Sequence, residues 1–238
     1  MTIKVIVHCG GPKNGAAALR RWFKQNVSLL EQVGVYYPAD ENTHDAGNAG
    51  QILDIRADNS ATFSKKKYQA LLEQAETVKA KQVLLSSELF SSHLPSLVTN
   101  ANNVQIISYV AIPSYQYESD YRYLVKEGLT AEKLMLDNRE LAFHINTLRS
   151  QIESIGASHF ILRAYHKNCF YRQDLLSDFL LALGITDVIT TPLNLCDEVL
   201  ANDALELKRW FNQFDTGLIQ SELEQFLDFY SHNARPYT

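Results

Sequence analysis

Four residues near the amino terminus have the types and spacing of an anion-binding turn. Gly10, Gly11, Lys13 and Gly15 follow the apolar segment 3–9 and precede a segment with helical periodicity. Glycine lets the backbone approach a ligand closely, and the amide groups at the start of a helix attract negative charge. Lysine adds a flexible cation at the same place. The pattern is typical of a turn that binds a phosphate or sulfate group. The remains of such a site, or a tight turn with a surface lysine, are the alternatives.

This turn does not fit the common nucleotide-binding motifs. A P-loop has Lys and then Ser or Thr directly after its last glycine, because the hydroxyl binds Mg²⁺. Here Lys13 stands two positions before Gly15, and Ala16, Ala17 and Ala18 follow. The glycines also lack the GxGxxG spacing of dinucleotide-binding proteins. These departures disfavour a phosphotransferase or nucleoside triphosphatase, although a variant loop would still allow one.

Glu88 is a candidate general base. It follows the apolar segment 82–87, where a strand is expected to end. Parallel α/β sheets place ligands at the carboxyl ends of their strands, so a carboxylate there could take a proton from a substrate hydroxyl. Alternatively, Glu88 has a structural role in the first turn of a short helix that Ser86 or Ser87 caps.

Two histidines and three arginines are further candidates. His8, inside the first apolar segment, is either a base or a packed core histidine, and His44 is either a base in a polar loop or a solvated side chain. Arg20 and Arg21 could assist anion binding, but a solvated helix face is favoured for both. Arg163 ends an apolar strand and needs a partner, which could be an anionic ligand.

The elements that would position these residues alternate between strands and helices. Such alternation predicts an α/β fold, a doubly wound and mostly parallel sheet with a P-loop-like strand–turn–helix. The strands are expected at 3–9, 34–38, 82–87, 104–110 and 159–165. The helices are expected from the turn to Gly34, from Ser64 to about 79, from about Glu88, and over 114–127, 130–155 (capped by Thr130), 174–183, 203–214 and 217–231. We expect a single domain over 1–238, with a helical carboxyl-terminal extension from about 200.

Composition limits the partners and the compartment. The chain has 238 residues and a net charge of −5, which gives no reason to expect nucleic acid as a partner. No apolar stretch approaches the roughly 20 residues that span a bilayer. Three cysteines without CxxC spacing fit single thiols in a reducing compartment, so a cytoplasmic protein is expected. No metal-ligand spacing is visible, and the oligomeric state stays open.

The amino-terminal segment HCGGPKNGAAALRRWF resembles a motif of the sulfotransferases that use 3′-phosphoadenosine-5′-phosphosulfate. In these enzymes the motif reads H-x-G-x-x-K-T-G-T-T-x-L-Q-x-x-L and binds the 5′-phosphosulfate. The matching positions are His8, Gly10, Lys13, Gly15 and Leu19.

Later segments are similar to the same family, in order, over roughly residues 3–185. They are LLEQVGVYYP (29–38), LLSSELF (84–90), YVAIPSYQYESDYRYLVKEG (109–128) and FILRAYHKNCFYRQDLLSDFLLALGI (160–185). The resemblance implies a sulfuryl transfer from 3′-phosphoadenosine-5′-phosphosulfate to a hydroxyl of a saccharide or small molecule.

The resemblance also implies roles for individual residues. Lys13, Glu88 and His8 are the expected catalytic residues. The residues expected to bind the donor are Gly10, Gly11, Lys13, Asn14, Gly15, Ala16, Ala17, Ser119 and, as a replacement cation, Arg163.

Four positions depart from the family pattern. Asn14, Ala16 and Ala17 stand where threonines are usual, and Ala111 stands where an arginine contacts the 3′-phosphate. The three alanine side chains cannot form the hydrogen bonds expected at their positions. Losing three hydrogen bonds to charged groups costs about 4–5 kcal/mol, or roughly a thousandfold in affinity. The alternative hypothesis is therefore a catalytically degenerate protein that binds a nucleotide or a partner on the same fold.

Overall fold

The computed structural model describes residues 2–9, 14–38, 47–56, 60–135, 138–186, 188, 193, 200–214, 217 and 220–233. Contacts within the chain divide it into two compact units. The first unit consists of Met1–Ala111 and Asn146–Leu195, and the second of Ile112–Ile145 and Cys196–Thr238. The expected single domain over 1–238 stays a prediction, because this division does not show whether the units fold separately.

A five-stranded parallel sheet forms the centre of the first unit. Its strand order is β2-β5-β1-β6-β7, and every neighbouring pair is parallel. The strands are β1 (Lys4–His8), β2 (Val35–Tyr36), β5 (Gln82–Ser86), β6 (Val104–Val110) and β7 (Phe160–Ala164). From β1 the chain continues to β2, on one side of β1 in the sheet. From β6 it continues to β7, which lies on the opposite side of β1. A point of this kind, between two adjacent strands, is where open α/β sheets bind ligands.

Helices cover both faces of this sheet, as the nearly all-apolar strands predict. One buried cluster joins Val5 and Val7 to apolar side chains of α3 and α4. The other joins Ile6 to side chains of α1 and α7. The α-helices that lie wholly within the first unit are α1 (Ala16–Gln25), α2 (Val27–Gln32), α3 (Lys65–Thr77), α4 (Leu94–Asn100) and α7 (Leu175–Ala182). The predicted α/β fold with a doubly wound parallel sheet is confirmed.

The first expected helix is divided in two. Asn26 leaves the helical conformation between α1 and α2, and its side-chain Nδ2 donates to the Trp22 carbonyl at 2.8 Å. Asparagine competes with the helix in this way because its amide can bond the backbone locally. Gly34 then ends α2 with a positive φ, as expected.

A short antiparallel hairpin was not foreseen. It pairs β3 (Leu53–Ile55) with β4 (Ala61–Phe63), and Leu53 and Phe63 pack against the core of the first unit. Strands of three residues carry too little alternation to be recognised by pattern alone.

The second unit is helical. It contains α5 (Pro113–Lys126), the first part of α6 (Asn138–Ile155), α8 (Asn202–Phe211) and α9 (Gln220–Asn233). The predicted carboxyl-terminal helices are thus present. Their buried cluster consists of Val125, Leu200, Ala204, Leu205 and Leu227. Within the described part of the chain, none of the helices combines the length and apolarity that crossing a bilayer requires.

The expected start of α6 at Thr130 is wrong. The Thr130 hydroxyl accepts from the Glu132 amide at 3.2 Å, but residues 131–135 are not helical and α6 begins at Asn138. Side chains of neighbouring helices take the carbonyl oxygens that a helix would use: Asn212 donates to Thr130 and Arg209 to Ala131. Tyrosine hydroxyls bond two more carbonyls of this segment. These tertiary hydrogen bonds replace those of a first helical turn.

Candidate functional site

Asn14, which directly precedes Gly15 and α1, is bonded to the end of β6. The side-chain Nδ2 of Asn14 is buried and donates to the Tyr109 carbonyl at 3.1 Å. This bond lies between β1 and β6, where the connections of the sheet diverge. Asn14, one of the residues expected to bind the donor, therefore fixes the backbone on one side of the candidate site, and its role in donor binding stays a prediction. Gly10, Gly11 and Lys13 lie outside the described residues.

Gly15 directly precedes α1 and has a left-handed conformation, with φ +68°. Its carbonyl accepts the first helical hydrogen bond, from the Leu19 amide at 3.0 Å. The amides of Ala16, Ala17 and Ala18 precede this bond and have no acceptor within the helix, and no side chain among the described residues caps it. A helix start of this kind attracts anions. Ala16 and Ala18 are buried, and Ala17 is half-buried.

The end of β5 is held by a residue that sequence reasoning did not single out. Asn48 is buried, and its side-chain Oδ1 accepts from the Ser86 amide at 2.8 Å. The backbone amide of Asn48 donates to the Ser86 carbonyl at 3.1 Å. Its Nδ2 donates to the carbonyls of Leu84 and Pro38, each at 3.2 Å. The only signal in the sequence was a Gly-Asn pair in a polar loop, and residues 39–46 of that loop lie outside the described residues. The Asn48 side chain thus bonds backbone groups of β5, as a neighbouring strand would.

Glu88 follows directly and is held at its backbone. The Ser87 amide donates to the His8 carbonyl at 3.2 Å, and the Ser87 hydroxyl accepts from the Leu89 amide at 3.3 Å. Ser87 therefore caps the 3₁₀ helix Glu88–His93, which confirms the short helix expected here. The Glu88 side chain is 52% exposed and remains accessible.

Arg20 is buried, which corrects the solvated helix face favoured for it. It is 4% exposed, whereas its neighbour Arg21 is exposed as expected. The Nη2 of Arg20 lies 3.6 Å from the Oε1 of Glu88. Its Nε and Nη1 have no hydrogen-bond partner among the described residues. This ion pair brings the Glu88 carboxylate beside α1.

His8 has the surroundings of a packed core histidine. Its ring is fully buried, its Nδ1 lies 2.9 Å from the Ser86 hydroxyl, and Phe179 packs edge to face against it at 5.0 Å between ring centroids. Burial and the positive charge of Arg20 lower the pKa of His8 to about 3. The imidazole is therefore neutral near pH 7 and enclosed by protein.

Tyr37 lies in the buried cluster that also contains Phe179. Burial raises the pKa of its phenol to about 12, while the charge of Arg20 opposes this rise. Its hydroxyl, like the Nε2 of His8, has no hydrogen-bond partner among the described residues. Arg20 thus acts electrostatically on two buried aromatic groups near the carboxyl edge of the sheet.

Arg163 has the partner that its position required. Its guanidinium forms two hydrogen bonds with the Asp178 carboxylate, one of them from Nε to Oδ2 at 2.9 Å. The Tyr109 hydroxyl and the Tyr171 amide also donate to Asp178, each at 2.8 Å. Burial raises the pKa of Asp178, but the hydrogen bonds from Arg163, Tyr171 and Tyr109 outweigh it and lower the pKa overall. The Asp178 carboxylate therefore balances the charge of Arg163. The role of Arg163 in donor binding stays a prediction.

The remaining predicted residue, Ser119, is half-buried on α5 in the second unit. Its role stays a prediction. In the described part of the chain, no group of three or more His, Cys, Asp or Glu side chains could hold a metal ion.

Comparison with known proteins finds similarity to a solved structure but not to a protein family. No protein-family model matches the sequence, and no curated protein does. Among solved structures, the chain is similar to a sulfotransferase from Alicyclobacillus acidocaldarius, with 14% identity, a TM-score of 0.47, and coverage of 96% of this chain and 97% of that chain. At that identity and TM-score, the function has to be inferred from the chain's own residues.

Proposed function

We propose that this chain is a sulfotransferase-like protein that transfers the sulfuryl group of 3′-phosphoadenosine-5′-phosphosulfate to a hydroxyl of a saccharide or another small molecule. The observation that carries the proposal is the ion pair between Arg20 and Glu88. It brings an accessible carboxylate beside the helix whose first amides have no acceptor within the helix. Both halves of this arrangement lie in segments that resemble the sulfotransferase motifs.

The residues of the turn fit the phosphosulfate group of the donor. The amides at the start of α1 and the ammonium of Lys13 would hold it, and the left-handed Gly15 keeps Cβ atoms away from the backbone there. When bound, the donor supplies an activated sulfuryl group. The amides and Lys13 would offset the negative charge that develops on the leaving phosphate.

Glu88, rather than His8, is the proposed base. A general base must come within hydrogen-bond reach of the hydroxyl proton that it accepts. The Glu88 carboxylate is half exposed, whereas the His8 ring is enclosed and resists protonation. Glu88 would accept the proton from the acceptor hydroxyl as that oxygen attacks sulfur.

Calorimetry with 3′-phosphoadenosine-5′-phosphate, the desulfated product, tests the donor site. We expect binding that weakens by about 10- to 150-fold in Lys13→Ala, since a hydrogen bond to a charged group is worth about 1.5–3 kcal/mol. Arg21→Ala removes an exposed cation from the same helix and should leave the affinity unchanged. Absence of both heat and thermal shift at millimolar ligand would exclude the proposal.

A second candidate is a degenerate binding protein on the same fold. Ala16 and Ala18 are buried at the start of α1, and Ala111 replaces the expected arginine. Because Ala17 and Ala111 are only half-buried, Ala17→Thr combined with Ala111→Arg is the variant with room for the restored groups. If the protein is degenerate, this variant gains donor binding that the parent chain lacks. Micromolar binding by the parent chain would rule this candidate out.

A further inference from the structure

We propose that Arg20 is a positioning residue, whose buried guanidinium holds the carboxylate of Glu88 beside α1. The inference rests on the proposed function in one respect, the role of Glu88 as proton acceptor. The ion pair itself is a property of the fold and can be tested without turnover.

The stability of the fold does not explain Arg20. A buried N–H group without an acceptor destabilises the folded state, and two such groups of Arg20 have no partner among the described residues. An apolar side chain of similar length would fill the same space without this cost, and such replacements of buried charges are often neutral or stabilising. A buried cation of this kind calls for a functional reason.

Glu88 supplies that reason. The backbone on either side of it is fixed, by the Ser87 cap and by the hydrogen bond from the Ser87 amide to β1. Because the backbone is fixed, the position of the Glu88 carboxylate depends only on the side-chain torsions. The Arg20 Nη2 lies 3.6 Å from the Glu88 Oε1, and Arg20 is the only partner of Glu88 in an ion pair among the described residues. A cation removed from water attracts a carboxylate more strongly than a surface cation does.

The surroundings of Arg20 favour this pairing over any other. His8 stays neutral, because burial and the Arg20 charge both oppose its protonation. Arg163 is engaged by Asp178. Of the basic side chains described at this end of the sheet, Arg20 is thus the one whose charge is directed to Glu88, and the carboxylate remains open to an acceptor on its exposed side.

A double-mutant cycle tests the pairing without any assay of activity. Arg20→Met, Glu88→Gln and the double variant are compared by thermal unfolding, with Arg21→Met as the control on the same helix. We expect Arg20→Met to keep the melting temperature of the parent chain within about 4 °C. Glu88→Gln should lower it in the parent chain, where it leaves a buried cation unpaired, but not in Arg20→Met. Additive effects in the cycle, or a large loss of stability in Arg20→Met, would overturn the inference.

Turnover separates positioning from packing. The transfer of sulfate from 3′-phosphoadenosine-5′-phosphosulfate to a panel of monosaccharides is followed in the same variants. Arg20→Met should lower kcat by about tenfold or more while its affinity for 3′-phosphoadenosine-5′-phosphate stays within about twofold. Arg20→Lys, which keeps the charge, should recover part of kcat.

The two ideas fail in different ways. If the parent chain neither binds the nucleotide nor transfers sulfate, the proposed function fails while the cycle still decides whether Arg20 holds Glu88. If the parent chain transfers sulfate and Arg20→Met does so equally well, the positioning role fails while the function stands.

Discussion

Arg20 and Arg21 are adjacent in the sequence and have opposite surroundings in the structure. Successive residues of a helix point about 100° apart, so one arginine can face the protein while the next faces water. Arg20 borders the buried stripe of Leu19 and Phe23, whereas Arg21 is exposed. Periodicity alone could not distinguish them, because the partner of Arg20 is a glutamate on another segment.

His8 gives a testable dependence of stability on pH. Its pKa falls from 6.5 in the unfolded chain to about 3 in the folded protein. The unfolded chain therefore binds a proton first, and the stability present above pH 6.5 is lost as the pH falls toward 3. Between pH 6.5 and 5, above the range of most carboxylates, the free energy of unfolding should decrease by about 1.6 kcal/mol.

Urea unfolding at several pH values measures this effect. His8→Gln removes the titrating ring and should flatten the dependence between pH 6.5 and 5, whatever it does to the stability at pH 7. An equal slope in the variant and the parent chain would show that His8 is not the group responsible.

At the scale of elements, the end of β5 depends on a close backbone contact. Gly47 has φ +82°, and a Cβ at this position would lie 1.9 Å from the Ser86 carbonyl oxygen. That carbonyl also accepts from the Asn48 amide, immediately before Ser87 and Glu88. Glycine at this position therefore lets the loop pack against the strand that presents the candidate base.

Gly47→Ala and Gly184→Ala form a matched pair that tests this contact. Both glycines have a positive φ, but a Cβ at Gly184 would meet nothing within 4 Å. Gly184→Ala should cost about 1–2 kcal/mol, from backbone conformation alone. Gly47→Ala should cost at least about 3 kcal/mol, because the backbone of β5 must also move. Equal losses in urea unfolding would contradict the close packing of Gly47.

At the scale of the whole molecule, the chain passes between the two units three times. The crossings lie at 111/112, 145/146 and 195/196, and the middle one falls within the continuous helix α6. Because α6 contributes residues to both units, each unit includes part of the same helix. We therefore expect the chain to unfold cooperatively, as a single domain does.

The two tryptophans of the chain can report on this cooperativity. Trp22 lies on α1 in the first unit and Trp210 on α8 in the second. Trp210→Phe leaves a reporter of the first unit, and Trp22→Phe leaves one of the second. The fluorescence midpoints in urea should coincide with each other and with the loss of helical circular dichroism. Two separate midpoints would show that the units unfold independently and that the chain has two domains.

The sequence by itself determined the features that depend on near neighbours. The apolar runs that form β1, β5 and β6 predicted a parallel sheet covered on both faces, because a strand buried on two sides has no polar face to show. Glycines after helical segments predicted where α2 and α7 end, since a positive φ disfavours other residues. The helix after the glycine-bearing turn followed from the helical spacing of its apolar residues.

The tertiary structure decided the features that depend on distant partners. Asn48 bonds β5, and Arg20 pairs with Glu88, although these residues are far apart in the chain. Thr130 fails to start α6 because side chains of other helices bond the carbonyls that follow it. A hydrogen bond or ion pair across the fold can outweigh a local preference of about 1 kcal/mol or less, and nothing in the local sequence records where its partner will lie.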